Sequence, residues 1–183
     1  TVNYTMASAI NPTISLDQSS DSLTSGTDVG VGELLTFVCG LVFTEGTWQG
    51  VSVTVEVPEG MEVVSARGAV LSGSTQLLLG TNTSSLSGRE QTFQIGDVVN
   101  AADNVVGSVD DTLQLYVDAR VTSAGSFVDG DTATVQMRLL HDGTGQNITT
   151  AVSIVEPLLK YAFDFVPLAS GDAGDIISYS VTV

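Results

Sequence analysis

Gly32-Glu33-Leu34-Leu35-Thr36-Phe37-Val38-Cys39-Gly40-Leu41 occurs twice in this chain. The second copy is Gly174-Asp175-Ile176-Ile177-Ser178-Tyr179-Ser180-Val181-Thr182-Val183, at a constant offset of 142 residues. Glu33 is answered by Asp175, Leu35 by Ile177, Thr36 by Ser178 and Phe37 by Tyr179. Side chains on a strand point alternately to its two faces, so Leu35, Phe37, Cys39 and Leu41 share one face. By analogy Ile177, Tyr179, Val181 and Val183 share the equivalent face. A repeat of this kind governs the architecture and is read before anything else.

The likeness extends upstream. Asn11-Pro12-Thr13-Ile14-Ser15 aligns with Glu156-Pro157-Leu158-Leu159-Lys160 at an offset of 145. Asn3-Tyr4-Thr5 precedes Pro12 by nine residues, and Asn147-Ile148-Thr149 precedes Pro157 by ten. This predicts three parts. Residues 1–10 form the last strand of a preceding repeat or a linker. Residues 11–153 form a complete unit, and residues 154–183 the first two strands of a following unit that a neighbour completes. A period near 145 residues is far longer than a solenoid repeat and suits beads on a string.

Between the two copies, apolar and polar residues alternate with a period of two. Val51, Val53, Val55 and Val57 interleave with Ser52, Thr54 and Glu56. Leu113 to Val121 and Ala133 to Leu139 repeat the pattern, each reading as a half-buried strand rich in β-branched residues. Turn chemistry separates the runs at Pro58-Glu59-Gly60, Asp129-Gly130 and His141-Asp142-Gly143-Thr144-Gly145. Ser19 to Thr27 and Ser72 to Gly88 read as long polar loops, the latter around a short apolar piece, Leu77 to Leu79. The expected fold is all-β: a sandwich of about nine strands, with terminal strands belonging to adjacent repeats or subunits.

Composition narrows the function. Of 183 residues, 43% are hydrophobic, enough for a real core, while 21 acidic and 5 basic residues give a net charge of −16. Phosphate binding needs clustered Lys and Arg, so nucleic acid is excluded as a partner, and an anionic membrane surface by the same sign. No run of about 18 apolar residues exists to insert into a membrane. One cysteine, Cys39, permits no internal disulfide. The polar surface is built of Ser, Thr, Asn and Gly, as in secreted β-proteins. Thr1 reads as a processed terminus or the edge of a fragment.

The Gly32–Phe37 strand, followed by Val51-Ser52-Val53-Thr54-Val55-Glu56-Val57-Pro58-Glu59-Gly60, resembles a large family of Ig-like extracellular repeats. That family pairs a Gly-Asp/Glu-hydrophobic-Thr-Tyr strand with a Val-x-Val-x-Asp-x-Leu-Pro-x-Gly strand and turn. It is catalogued mostly as a domain of unknown function and occurs in tandem in bacterial surface proteins, adhesins and fimbria-like proteins. The resemblance implies an Ig-like sandwich. Glu56 and Val57 replace the family's Asp and Leu. Some fimbrial relatives carry a Lys–Asn isopeptide crosslink from the first strand. Here the only lysine is Lys160, whose first-copy counterpart is Ser15, so the complete unit lacks that crosslink.

Asn3, Asn82 and Asn147 head glycosylation sequons, whose use requires surface exposure. Acidic residues gather in turns, as solvated turn residues do. A calcium site needs oxygens from several loops, and Asp103, Asp110 and Asp111 are its best candidates. His141 reads as a turn residue at a strand end, and Cys39 as a buried inert thiol. Trp48 either caps one end of the sandwich or stacks on a sugar from an exposed loop. No nucleophile elbow, metalloprotease helix, phosphate loop or Cys pair is present, so no catalytic residue is assigned and the chain reads as a non-enzyme.

The sequence therefore predicts a structural subunit or repeat of an extracellular filament, pilus-like fibre or cell-surface stalk. Its partners are copies of itself, joined head-to-tail by strand pairing between units. The expected interface is Leu158, Phe163, Phe165, Ile177, Tyr179, Val181 and Val183, because an unpaired apolar edge needs a cover. No cofactor is expected beyond covalent glycans or calcium. The alternative is a carbohydrate-binding or calcium-dependent adhesin module built on the loops of Trp48, Asp103 and Asp110.

Overall fold

A computed structural model of the chain describes residues 9–21, 24–70, 77–79, 83–101, 111–122, 127–155, 162–163 and 181–182. Among these, thirteen strands follow one another: β1 (Ile10–Ser19), β2 (Asp28–Val29), β3 (Leu34–Phe43), β4 (Gly46–Glu56), β5 (Met61–Val70), β6 (Leu77–Leu79), β7 (Thr83–Ser87), β8 (Glu90–Asn100), β9 (Thr112–Val121), β10 (Thr132–His141), β11 (Thr144–Ile154), β12 (Ala162–Phe163) and β13 (Val181–Thr182). Eight of them are ten or eleven residues long and make the body of the domain. The expected all-β sandwich is what forms.

One sheet has the order β1-β3-β9-β5. The other runs β2-β11-β10-β4-β8-β6, with β7 also on β8. From β3 onward the chain changes sheet at almost every long connection, so consecutive runs supply opposite walls of one core. The duplicated stretch supplies β3, an inner strand held antiparallel between β1 and β9. Leu35, Phe37, Cys39 and Leu41 all face inward and are fully buried. They meet Val51, Val53 and Val55 of β4 and Val135, Met137 and Leu139 of β10 in one hydrophobic cluster. Each such side chain contributes about 1.5–3 kcal/mol by leaving water.

The turns carry the backbone that the sequence implies. Asp142 and Gly143 have φ of +48° and +73°, the geometry of a tight two-residue hairpin, and join β10 directly to β11. One long-loop expectation is corrected. Residues 77–79 and 83–87 form β6 and β7, which pair with the two ends of β8. The shortness of β6 and the polar sequence of β7 hid this, because an edge strand needs backbone partners more than an apolar face.

The path of the chain defines two poles. It enters beside the β3–β4 turn, where the Ala9 amide donates to Thr44 Oγ1 at 3.1 Å and the Thr44 amide donates to Ala9 O at 3.2 Å. It leaves beside the β2–β3 turn, where the Val155 amide donates to Val29 O at 2.9 Å. These points flank opposite ends of β3, about 30 Å apart for a ten-residue strand. β12 and β13 pair with each other in a two-stranded sheet of their own, Phe163 opposite Val181.

Candidate functional site

The chemistry-bearing side chains gather at the pole where the chain enters. Trp48 lies inside β4 and is only 3% exposed. Its Nε1 donates to Thr44 O at 3.3 Å, and its ring packs on Phe43 at 6.4 Å and edge-on to His141 at 5.4 Å. The sugar-stacking reading of Trp48 is thereby corrected, and the capping reading holds. The cause is a slip in the β4–β8 ladder between Trp48 and Val51. Gly50 takes φ +58° there, and its amide donates to Asp97 Oδ1 at 2.9 Å. The extra residue turns both Trp48 and Val51 inward.

His141 closes β10 at 8% exposure, so it is a core residue more than a turn residue. Its Nδ1 sits 3.2 Å from Asp142 Oδ2. The Gln49 amide donates to the Asp142 carboxyl at 3.0 Å. That bond, followed by the contact with His141, holds the carboxyl below the usual aspartate range. His141 Nε2 is buried without a protein partner.

Asn100, at the end of β8, is 2% exposed, and Asp111, just before β9, is 3% exposed. Asn100 Nδ2 donates to Phe43 O at 3.0 Å and to Asp111 Oδ1 at 2.8 Å. Asn100 Oδ1 is the second buried atom left without a protein partner. Asn100 was not foreseen. Its signal was a polar residue at the end of an apolar strand.

A second polar cluster lies on the outer face of the β1-β3-β9-β5 sheet. Asp118 accepts hydrogen bonds from Thr36 Oγ1 at 2.8 Å, Ser65 Oγ at 2.5 Å and Arg67 at 3.1 Å. Partial burial pushes its carboxyl up, but the bonds from Ser65 and Thr36 and the Arg67 charge outweigh this and hold it below its ordinary value. Arg67 also covers the Tyr116 ring at 4.8 Å. This is cross-strand stabilisation of a sheet face.

Of the other foreseen residues, Asn147 stands exposed on β11 opposite Arg138, within a strand rather than a loop. Asn3, Asn82, Asp103, Asp110, Leu158, Phe165, Ile177, Tyr179 and Val183 lie outside the described residues. No three His, Cys, Asp or Glu side chains converge as a metal-binding group among the described residues. No helix among them is long and apolar enough to cross a membrane.

Cys39 is buried at the centre of β3, and burial pushes its thiol pKa up to about 12. The thiolate is the reactive form. Iodoacetamide at pH 8 therefore leaves Cys39 unmodified in the folded chain and alkylates it in urea, as read by intact mass. Alkylation of the folded chain at the rate of a free thiol would contradict this placement.

No family model matches the chain. No curated protein matches it either. Solved structures do. The N-terminal domain of the Streptococcus gordonii adhesin Sgo0707 superposes with a TM-score of 0.53 at 10% identity, over 79% of this chain and 32% of that one. BcpA, the major pilin subunit of Bacillus cereus, gives 0.48 at 9% identity over 80% and 40%. A C-terminal fragment of the major pilin GBS80 of Streptococcus agalactiae gives 0.46 at 8% identity over 80% and 56%. The chain thus spans less than two thirds of each. The adhesin domain shares the fold of this sandwich, and fold alone does not carry function.

Proposed function

We propose that this chain is a module of an extracellular fibre or cell-surface stalk, strung head-to-tail with copies of itself. The observation that carries this is the chain path. Ala9 enters at one pole of the sandwich and Val155 leaves at the other, so successive units fall in line instead of folding back. A linear contact that does not close gives an open filament.

The C-terminal pairing supports the same reading. β1 and β3 pair antiparallel, and β12 and β13, in the matching positions of the second copy, also pair antiparallel. Val181, the counterpart of Cys39, pairs with Phe163, whereas the counterpart of Ile14 is Leu159, so the two pairings share their antiparallel sense and not their register. In this proposal residues 154–183 begin a second sandwich that the next repeat or a neighbouring subunit completes, through the apolar residues named from the sequence. A carbohydrate-binding module centred on Trp48 is the weaker reading, because the indole is buried.

Immunogold labelling of intact source cells, with antibody raised against the Ile10–Ile154 sandwich, tests the proposal. The expected result is gold along thin surface appendages. Intact cells that stay unlabelled, while thin sections of the same cells label in the interior, would overturn it.

A further inference from the structure

We infer that Asn100 and Asp111 hold a hard divalent cation of the calcium class at the pole where the chain enters. Both donor hydrogens of Asn100 are committed, to Phe43 O at 3.0 Å and to Asp111 Oδ1 at 2.8 Å. Those acceptors fix the orientation of the amide. They leave Oδ1 as an acceptor that no protein donor meets, on a residue almost wholly buried. An unmet buried carbonyl is costly and demands an explanation. The Asp111 carboxylate that takes one of those hydrogens is also buried, in a chain with a net charge of −16.

An amide oxygen and a carboxylate are both hard donors. Hard donors favour calcium or magnesium over zinc or copper. Calcium accepts irregular shells completed by water and backbone carbonyls, which suits a site at the rim of a sandwich. The exposed Ala101 next to Asn100 gives solvent a route in. A cation here ties the end of β8 and the start of β9 to the end of β3, whose carbonyl Asn100 already holds. The inference rests on this geometry and stands whether or not the chain builds fibres.

Trp48 supplies the probe. It is the only tryptophan, it lies opposite Val98 two residues from Asn100, and its ring packs on Phe43. Terbium stands in for calcium, and a terbium ion near an indole emits when the indole is excited. The full chain, stripped with EDTA and titrated with terbium, is expected to show tryptophan-sensitised emission that saturates at one equivalent and is displaced by calcium. Calcium about a hundredfold above its Kd is expected to raise the melting temperature by roughly 5–10 °C over EDTA. Both effects vanish in Asn100→Ala and Asp111→Asn and persist in Asp118→Asn, on the outer sheet face. Trp48→Phe loses the emission and keeps the calcium shift, which holds the test open if Asp111→Asn fails to fold. A melting temperature indifferent to calcium, emission that never saturates, or a calcium shift that survives Asn100→Ala assigns Oδ1 to ordinary water and overturns the inference.

Discussion

Phe37→Ala is expected to cost about 3–5 kcal/mol of unfolding free energy, the range for deleting a large buried aromatic. Phe37 is 0% exposed and lies midway along β3, between Leu16 of β1 and Val117 of β9. Its ring fills the space between the two sheets, where strands on both sides hold the walls apart. Collapse around the missing ring is therefore limited, and the cavity term adds to the lost transfer energy. Against a total stability of about 5–15 kcal/mol, this one change removes a fifth or more. Urea unfolding followed by the fluorescence of Trp48 measures it as a lower midpoint at unchanged slope. Val38→Ala, one residue away on the outer face, is the control and is expected to cost far less. Equal losses at Phe37 and Val38 would mean that β3 does not face the core in this register.

That register was legible because β3, β9 and β10 alternate without interruption from end to end. Where a ladder slips, alternation misleads. Counting inward from Val55, Val53 and Val51 puts Gln49 on the core face. The bulge at Gly50 puts Trp48 there instead. A second slip, between Val51 and Ser52, puts the extra residue on β8, where Phe93 and Ile95 face inward and then Val98 and Asn100 do. A bulge is a relation between two strands, and one strand's sequence does not contain it. The best polar pair of the entrance pole, Asn100 with Asp111, was hidden for this reason. Only Asp111 was foreseen, and for its acidic neighbours. β7 was missed differently. Thr83-Ser84-Ser85-Leu86-Ser87 has no apolar face, since it gains its place through the backbone of β8 and leaves Leu86 exposed.

Glu33 is the residue of the duplicated stretch whose role could not be read from its pattern, and its removal is the second large effect expected. Its carboxylate is buried at the pole where the chain leaves. Oε2 accepts from Ser19 Oγ, and from Thr24 Oγ1 at 3.3 Å, while Oε1 accepts from the Gly30 amide at 2.9 Å. Three separate points of the Ser19–Leu34 connection thus converge on one side chain. A Cβ at residue 30 would stand 3.2 Å from Glu33 Oε1, so glycine there lets the backbone come this close. The same connection receives the departing chain, through Thr27 O to the Ser153 amide and Val29 O to the Val155 amide. Hydrogen bonds to a charged group are worth about 1.5–3 kcal/mol, and Glu33→Ala strands three donors at once. The expected loss is about 2–4 kcal/mol, with faster hydrogen exchange at the Ser153 and Val155 amides. Glu33→Gln keeps an oxygen for Gly30 and offers an amide to two hydroxyls that can rotate to accept, so it should lose roughly half as much or less. Glu33→Ala made in the background of Ser19→Ala should cost less than in the natural chain, because the two side chains share one bond. Strict additivity, or an alanine variant as stable as the parent with unchanged exchange at Val155, would show that the connection is held by its backbone alone. In the second copy Asp175 stands where Glu33 does, one methylene shorter but with the same acceptors. The acid at the head of the duplicated stretch therefore fixes the direction in which the chain leaves the sandwich, and that direction is what a head-to-tail fibre depends on.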